Sequence, residues 1–328
     1  MSIRHTAKML QKCIGAIGLA ALVATGGNAW AQQRSVAVTS VIEHPALDAV
    51  RDGVKMALEE AGYVDGVNLR WQYQTAQGNV GTAAQIARKF VGDAPDVIVA
   101  ISTPSAQTML ASTSDIPVVF SAITDPIGAK LVADWNPSGT NVTGVSNMLD
   151  VDKQIDLILS LMPDAKNVGI VYNPAEANSA YYVAQMQALL PARGMTVVTA
   201  AAPRTVDVGT AAQSLVGKID VFYAPSDNNV VASFEALARV AQESQIPLIS
   251  TDPNCAERGA AVALGVDYVE LGAQTGRMVL RILNGEEPGE IRPEIGEKVD
   301  LIINLEAARA QGLDIPQALR DQAARIIE

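Results

Sequence analysis

Two stretches of the chain repeat one pattern of apolar and polar positions. Residues 96–126, DVIVAISTPSAQTMLASTSDIPVVFSAITDP, open with an Asp and an unbroken apolar run at 97–100. They pass through Ser102, Thr103, Pro104 and Ser105 into a segment of helical period, then return through Ile116-Pro117 to a second apolar run ending in Thr124-Asp125-Pro126. Residues 220–253 do the same: an apolar run at 221–223, then Ser226-Asp227-Asn228, then a helix burying Val230, Val231, Phe234, Leu237, Ala238 and Ala241. Ile246-Pro247 leads from there to a run ending in Thr251-Asp252-Pro253. Apolar runs without alternation mark strands covered on both faces, so each copy predicts a strand–helix–strand unit of parallel sheet.

The pattern continues on either side. Strands are predicted at 35–41, 69–73, 142–146, 168–172, 196–200, 260–264 and 301–304. Helical periods fall at 47–61, 82–91, 152–162, 208–216 and 268–283, with a further helix ending near Gly194 and a terminal helical region from 306 that Pro316 interrupts. About ten strands alternating with helices give an α/β protein. Two similar units predict two lobes, with the first crossing between them near residues 147–150.

Parallel sheets bind ligands beyond the carboxyl ends of their strands. Those ends carry Ser102, Thr103, Ser105, Ser121, Thr124 and Asp125 in one copy, and Ser226, Asp227, Asn228, Thr251 and Asp252 in the other. The amides opening helices at Ser105-Ala106 and Asn178-Ser179 suit a carboxylate, because unpaired N–H groups and the helix dipole favour an anion there. Asp227 and Asp252 suit an ammonium. Anion and cation subsites together describe a zwitterion such as an amino acid. The same residue types also serve as caps and turns. That alternative is sharpest at Asp227, which either faces the cleft or folds back onto the Val230 amide; Asp252 is then the second choice for the ammonium. Phe120, Tyr172, Tyr181, Tyr182 and Tyr223 offer an aromatic wall, with core packing the competing role for Phe120 and Tyr223. His44, in the loop after the first strand, reads as a ligand contact or turn element rather than a base.

Residues 1–31 read as a cleaved signal peptide: Arg4, Lys8 and Lys12 are basic, 14–23 is apolar, and Ala29-Trp30-Ala31 fits a small-x-small site. Lys12 before Cys13 rules out a lipoprotein signal. Cleavage removes three cationic charges, moves the formal charge from −11 to −14, and leaves about 297 residues, enough for two domains. Such acidity argues against nucleic acid as a partner. Cys255 is the one thiol beyond residue 31, so no internal disulfide is expected. No G-x-S-x-G, P-loop, strand-following G-x-G-x-x-G, C-x-x-C or H-E-x-x-H occurs, so neither catalytic residues, a cofactor nor a metal site is expected. An exported α/β hydrolase using Asp125, Asp227 or Asp252 is the alternative class.

The runs EHPALDAVRDGVKMALEEAG, ISTPSAQ, IPVVFSAITDP, NVTGVS, NPAEANS, PSDNNV and ALGVDYVELGAQTG resemble ABC-transporter substrate-binding proteins of the tryptophan/tyrosine (aromatic amino acid) type. The resemblance spans about residues 36–315. It implies a type I periplasmic binding fold: two Rossmann-like lobes, 34–147 with 265–290 and 148–264 with 291–328, joined by three crossings. It further implies a monomer without a cofactor, closing in the periplasm on an amino acid and delivering it to an inner-membrane ABC permease. A ligand-sensing component docking on a receptor would use the same lobes.

Overall fold

A computed structural model describes residues 33–328. The expected signal peptide lies outside the described residues. The first sheet contains β1 (Arg34–Ser40), β2 (Leu69–Thr75), β3 (Val97–Ile101), β4 (Val118–Ile123) and β5 (Val142–Ser146). Between them run α1 (Pro45–Glu60), α2 (Val80–Asp93) and α3 (Thr103–Leu110). The chain then builds a second layer system from α4 (Val151–Leu161), β6 (Asn167–Tyr172), α5 (Ala177–Leu189), β7 (Thr196–Ala201), α6 (Val208–Leu215), β8 (Val221–Ala224), α7 (Asn228–Ala232), α8 (Phe234–Ser244), β9 (Leu248–Ser250) and β10 (Val262–Val266). It returns through α9 (Tyr268–Leu283) and β11 (Glu294–Ile295), and ends with β12 (Val299–Asn304), α10 (Leu305–Ala310), α11 (Gln317–Arg320) and β13 (Arg325–Ile327).

The first sheet has six strands in the order β11-β5-β4-β3-β1-β2, all parallel. The second has seven, β13-β12-β10-β9-β8-β6-β7, with β10 and β12 the one antiparallel pair. Unbroken burial of β3, β4 and β8 explains why their sequences lack alternation. Each sheet is covered on both faces, the first by the clusters around Val50 with Val279 and around Phe90 with Met109. Clusters around Ile155 with Met186 and around Ala212 with Phe234 cover the second. The architecture is thus the expected α/β pair of parallel-dominated sheets. Where one helix was expected after Asp227, Ser233 leaves helical geometry at ψ 33° and divides α7 from α8.

Three segments join the sheets: 147–150, Asp267, and 296–298. The last crossing falls later than the expected 290/291 boundary, because Glu294 and Ile295 pair with Val145 and Ser146 of the first sheet. The second and third crossings are bonded to each other. Asp267 N donates to the Lys298 carbonyl at 2.9 Å, and Lys298 Nζ donates to Asp267 Oδ2 at 2.7 Å.

What returns α9 to the first lobe is a close helix–helix contact. A Cβ on Gly53 of α1 would collide with the Val269 carbonyl, and one on Gly272 would collide with the Val50 carbonyl. Overpacking of this kind costs roughly 1–3 kcal/mol. Gly272→Ala is expected to lower stability by about that amount in urea melts. Gly92→Ala in α2, where a Cβ meets nothing within 4 Å, should be neutral or stabilising by up to about 1 kcal/mol. Equal effects from the two changes would refute close approach as the basis of the α1–α9 contact.

Candidate ligand-binding site

The carboxyl ends of both sheets face one another across a narrow cavity of about 20 Å³. The first lobe contributes His44 and Leu47 from the start of α1, Ser102 and Thr103 after β3, and Ala122 and Thr124 around the end of β4. From the second come Asn178 of α5, Ser226, Asp227, Asn228 and Val231 around α7, and Asp252 after β9. Asn147 and Tyr268, at two of the crossings, close the hinge side.

Backbone geometry aims the first lobe's rim. Ser102 has φ 79° where β3 gives way to α3, and Ala122 has φ 57° at a register shift between β4 and β5. Left-handed conformations at non-glycine residues are strained, and they concentrate at ligand sites. The turn at Ser102 brings the start of α3 to the cavity. Thr103 Oγ1 there is buried without a hydrogen-bond partner.

Five of the nine buried, unpartnered side-chain polar atoms among the described residues belong to residues lining this cavity: His44 Nδ1 and Nε2, Thr103 Oγ1, Asn178 Oδ1 and Asp252 Oδ2. Buried polar groups are nearly always paired, so such a concentration asks for a partner the chain does not supply. His44 is 7 % exposed, and burial lowers its pKa to about 4, leaving a neutral imidazole. Asn228 stands beside it without reaching hydrogen-bond geometry, so desolvation dominates. Burial likewise raises the Asp252 carboxyl to about 6. Its Oδ1 accepts from Asn254 N at 2.9 Å and Asn254 Nδ2 at 3.1 Å, while Oδ2 remains free.

Asp227 differs. Its Oδ1 accepts from Val230 N at 2.9 Å, and Oδ2 accepts from Asn173 N and Ser179 Oγ, both at 2.6 Å. Of the two roles open to it in the sequence, the described geometry takes the cap: the carboxylate is held by three donors of its own lobe. The hinge side is polar and connected, with Asn147 Nδ2 donating to Tyr268 Oη at 3.2 Å and Ser226 Oγ meeting Thr251 Oγ1 at 3.0 Å.

Of the residues selected from sequence, His44, Thr103, Thr124, Asn178, Asp227, Asn228 and Asp252 reach the cavity. The structure does not bring Ser105, Ala106, Ser121, Asp125 or Ser179 to it. Ser105 accepts from Ser102 Oγ at 3.4 Å, the Ala106 amide bonds the Ser102 carbonyl, and Ser121 Oγ lies 2.6 Å from Thr275 Oγ1 on α9. Asp125 Oδ1 caps Gly128 N at 2.9 Å, and Ser179 supports Asp227 from behind. Phe120, Tyr182 and Tyr223 are core residues, and Tyr172 and Tyr181 pack on the second lobe's core. The aromatic residue on the cavity is Tyr268, overlooked in the sequence because its position at a helix start carries no signal. Ser102 and Ser226, placed on the rim from sequence, also line the cavity, and Thr251 does not; Leu47, Ala122, Asn147 and Val231 line it without having been singled out.

Among the described residues no hydroxyl or thiol is hydrogen-bonded to His44, and burial pushes the Cys255 thiol well above its ordinary pKa.

The family model described as ABC transporter substrate binding protein matches residues 35–327. A tyrosine-binding protein of Clostridioides difficile (strain R20291) is 38% identical over 279 residues, covering 85% of this chain and 81% of the relative. An ABC domain from Streptococcus pneumonia, solved in complex with L-Trp, aligns with a TM-score of 0.86 at 31% identity, covering 90% of this chain and 100% of that one. The ligand-free, open structure of a substrate binding protein with adhesive properties from Clostridium difficile aligns at only 0.68 despite 37% identity, covering 90% and 99%.

A histidine with a depressed folded pKa holds stability above its ordinary pKa and loses it as pH falls toward the folded value, since only the unfolded chain takes up the proton. With the His44 pKa at about 4, wild type should lose about 2 kcal/mol through this residue between pH 7.5 and pH 5. His44→Gln should lose that much less over the same interval in urea melts. Identical pH dependence in the two proteins would show that His44 is not held neutral.

Proposed function

We propose, from the premise that this chain belongs to the ABC transporter substrate-binding protein family, that it is a periplasmic receptor that holds an aromatic amino acid between its lobes for import. The observation that carries this reading is the convergence of five unpartnered buried polar atoms on the interlobe cavity. A zwitterion answers them. Its ammonium sits against Asp252 Oδ2, which draws the carboxyl toward its charged form, and its carboxylate sits against Thr103 Oγ1 at the start of α3. Leu47, Ala122, Val231 and Tyr268 supply the apolar contacts. The aromatic class is supported by the tyrosine-binding relative and by the L-Trp complex. In this reading the protein does no chemistry. Closure commits the ligand, and an ABC permease is the partner that opens the lobes. Signal-directed export fits that placement, and no described helix is long and apolar enough to cross a membrane.

After unfolding and refolding to strip bound solute, isothermal titration should show L-tyrosine or L-tryptophan binding at micromolar Kd or tighter, on the order of −8 kcal/mol. Binding only of a sugar, a nucleoside or a metal ion would overturn the zwitterion reading. Two variants then separate the carboxylates. Asp252→Asn keeps the cap through Oδ1 and should cost about 2–5 kcal/mol of affinity, with the unliganded melt nearly unchanged. Asp227→Ala should instead lower folding stability by about 1–3 kcal/mol, because three buried donors lose their acceptor. Reversal of these two responses would assign the ammonium to Asp227.

A further inference from the structure

Glu176 is 7 % exposed and lies behind the cavity wall, in the loop between β6 and α5. Its carboxylate accepts four hydrogen bonds. Oε2 accepts from Asn178 Nδ2 at 3.1 Å, Asn228 N at 3.3 Å and Asn228 Nδ2 at 2.5 Å, and Oε1 accepts from Asn173 Nδ2 at 3.3 Å. Asn178 Nδ2 also donates to the Ser226 carbonyl at 2.7 Å. With both acceptors on its nitrogen, Asn178 has one tenable amide orientation. The flipped amide would set its oxygen against a carboxylate and a carbonyl, which repel it. The oxygen left over, Asn178 Oδ1, is buried, has no partner and belongs to a cavity-lining residue.

We infer that Glu176 is a positioning residue that locks the Asn178 amide so that Oδ1, together with Asp252 Oδ2, forms an acceptor seat for a ligand's cationic amino group. The inference rests on the proposed amino-acid reading and extends it to a residue that does not line the cavity. Glu176, Asn178, Ser226 and Asp252 all belong to the second lobe, so the seat is complete within that lobe and does not require closure to assemble. Burial and the neighbouring Asp227 charge push the Glu176 carboxyl up to about 7. Hydrogen bonds from Asn178 and Asn228 oppose that rise.

Glu176→Gln tests this, because it keeps shape and burial while turning one acceptor oxygen into an NH2 group facing donors. Titrations compare L-tryptophan and L-tyrosine with indole-3-propionate and 3-(4-hydroxyphenyl)propionate, which lack the amino group. The variant should lose about tenfold or more in affinity for the amino acids, the scale of one charge-assisted hydrogen bond. Its affinity for the deamino acids should stay near that of wild type. An equal loss for both ligand classes would reduce Glu176 to a structural role and overturn the inference. A second readout needs no ligand. The Asn178 side-chain amide resonances, identified by their disappearance in Asn178→Ala, should exchange slowly with solvent in wild type and faster in Glu176→Gln. If wild type binds none of the four compounds, the proposed ligand class fails, while unchanged amide exchange in the variant would separately overturn the positioning role.

Discussion

A polar atom that leaves water without gaining a partner costs about 1–3 kcal/mol, and five such atoms belong to residues lining the cavity between the two sheets. Their summed cost is a large fraction of the ~5–15 kcal/mol by which a domain is stable. Separated lobes would hydrate these atoms; apposed lobes desolvate them. A ligand that supplies their partners removes the penalty in the apposed state alone, which is the differential affinity that shifts lobes toward closure. In the proposed reading, binding and closure therefore follow from the same unsatisfied groups.

The scaffold makes that arrangement possible by turning strand ends into rims. All strands of the first sheet run parallel, so the residues after β1, β3, β4 and β5 emerge on one edge, and β6, β8 and β9 do the same in the second lobe. The α1–α9 contact ties a segment from late in the chain into the first lobe, and it brings Tyr268 to the hinge side of the cavity. Backbone bent into left-handed geometry at Ser102 and Ala122 is held by these fully buried strands on either side.

Three buried carboxylates near the cavity have separate tasks. Asp227 and Glu176 are surrounded by donors from Asn173, Ser179, Asn178, Asn228 and Val230, and they organise the second lobe's rim. Asp252 keeps one oxygen free. Burial raises all three pKa values, with Asp252 and Glu176 brought to about 6 and about 7. A cationic group arriving at Asp252 would restore its charged form.

The sequence by itself determined the layer class, the doubled strand–helix–strand unit and the location of the rim, because strand burial and chain direction follow from local pattern. It also held the motifs that mark the family. What it left open was which side chain on the rim meets the cavity. Asp227 and Asp252 both follow a strand and precede a polar helix start, and nothing local separates them. The difference comes from Asn173 and Ser179, 54 and 48 residues away from Asp227 in the chain. Those residues stand beside Asp227 because β6 pairs with β8. Strand order likewise decided that Tyr182 and Tyr223 fill a core while Tyr268 faces the cavity, and that residues 294–295 join the first sheet. Local pattern fixes where polar groups emerge from the fold, whereas their partners are set by contacts between distant segments, which only the packed tertiary structure creates.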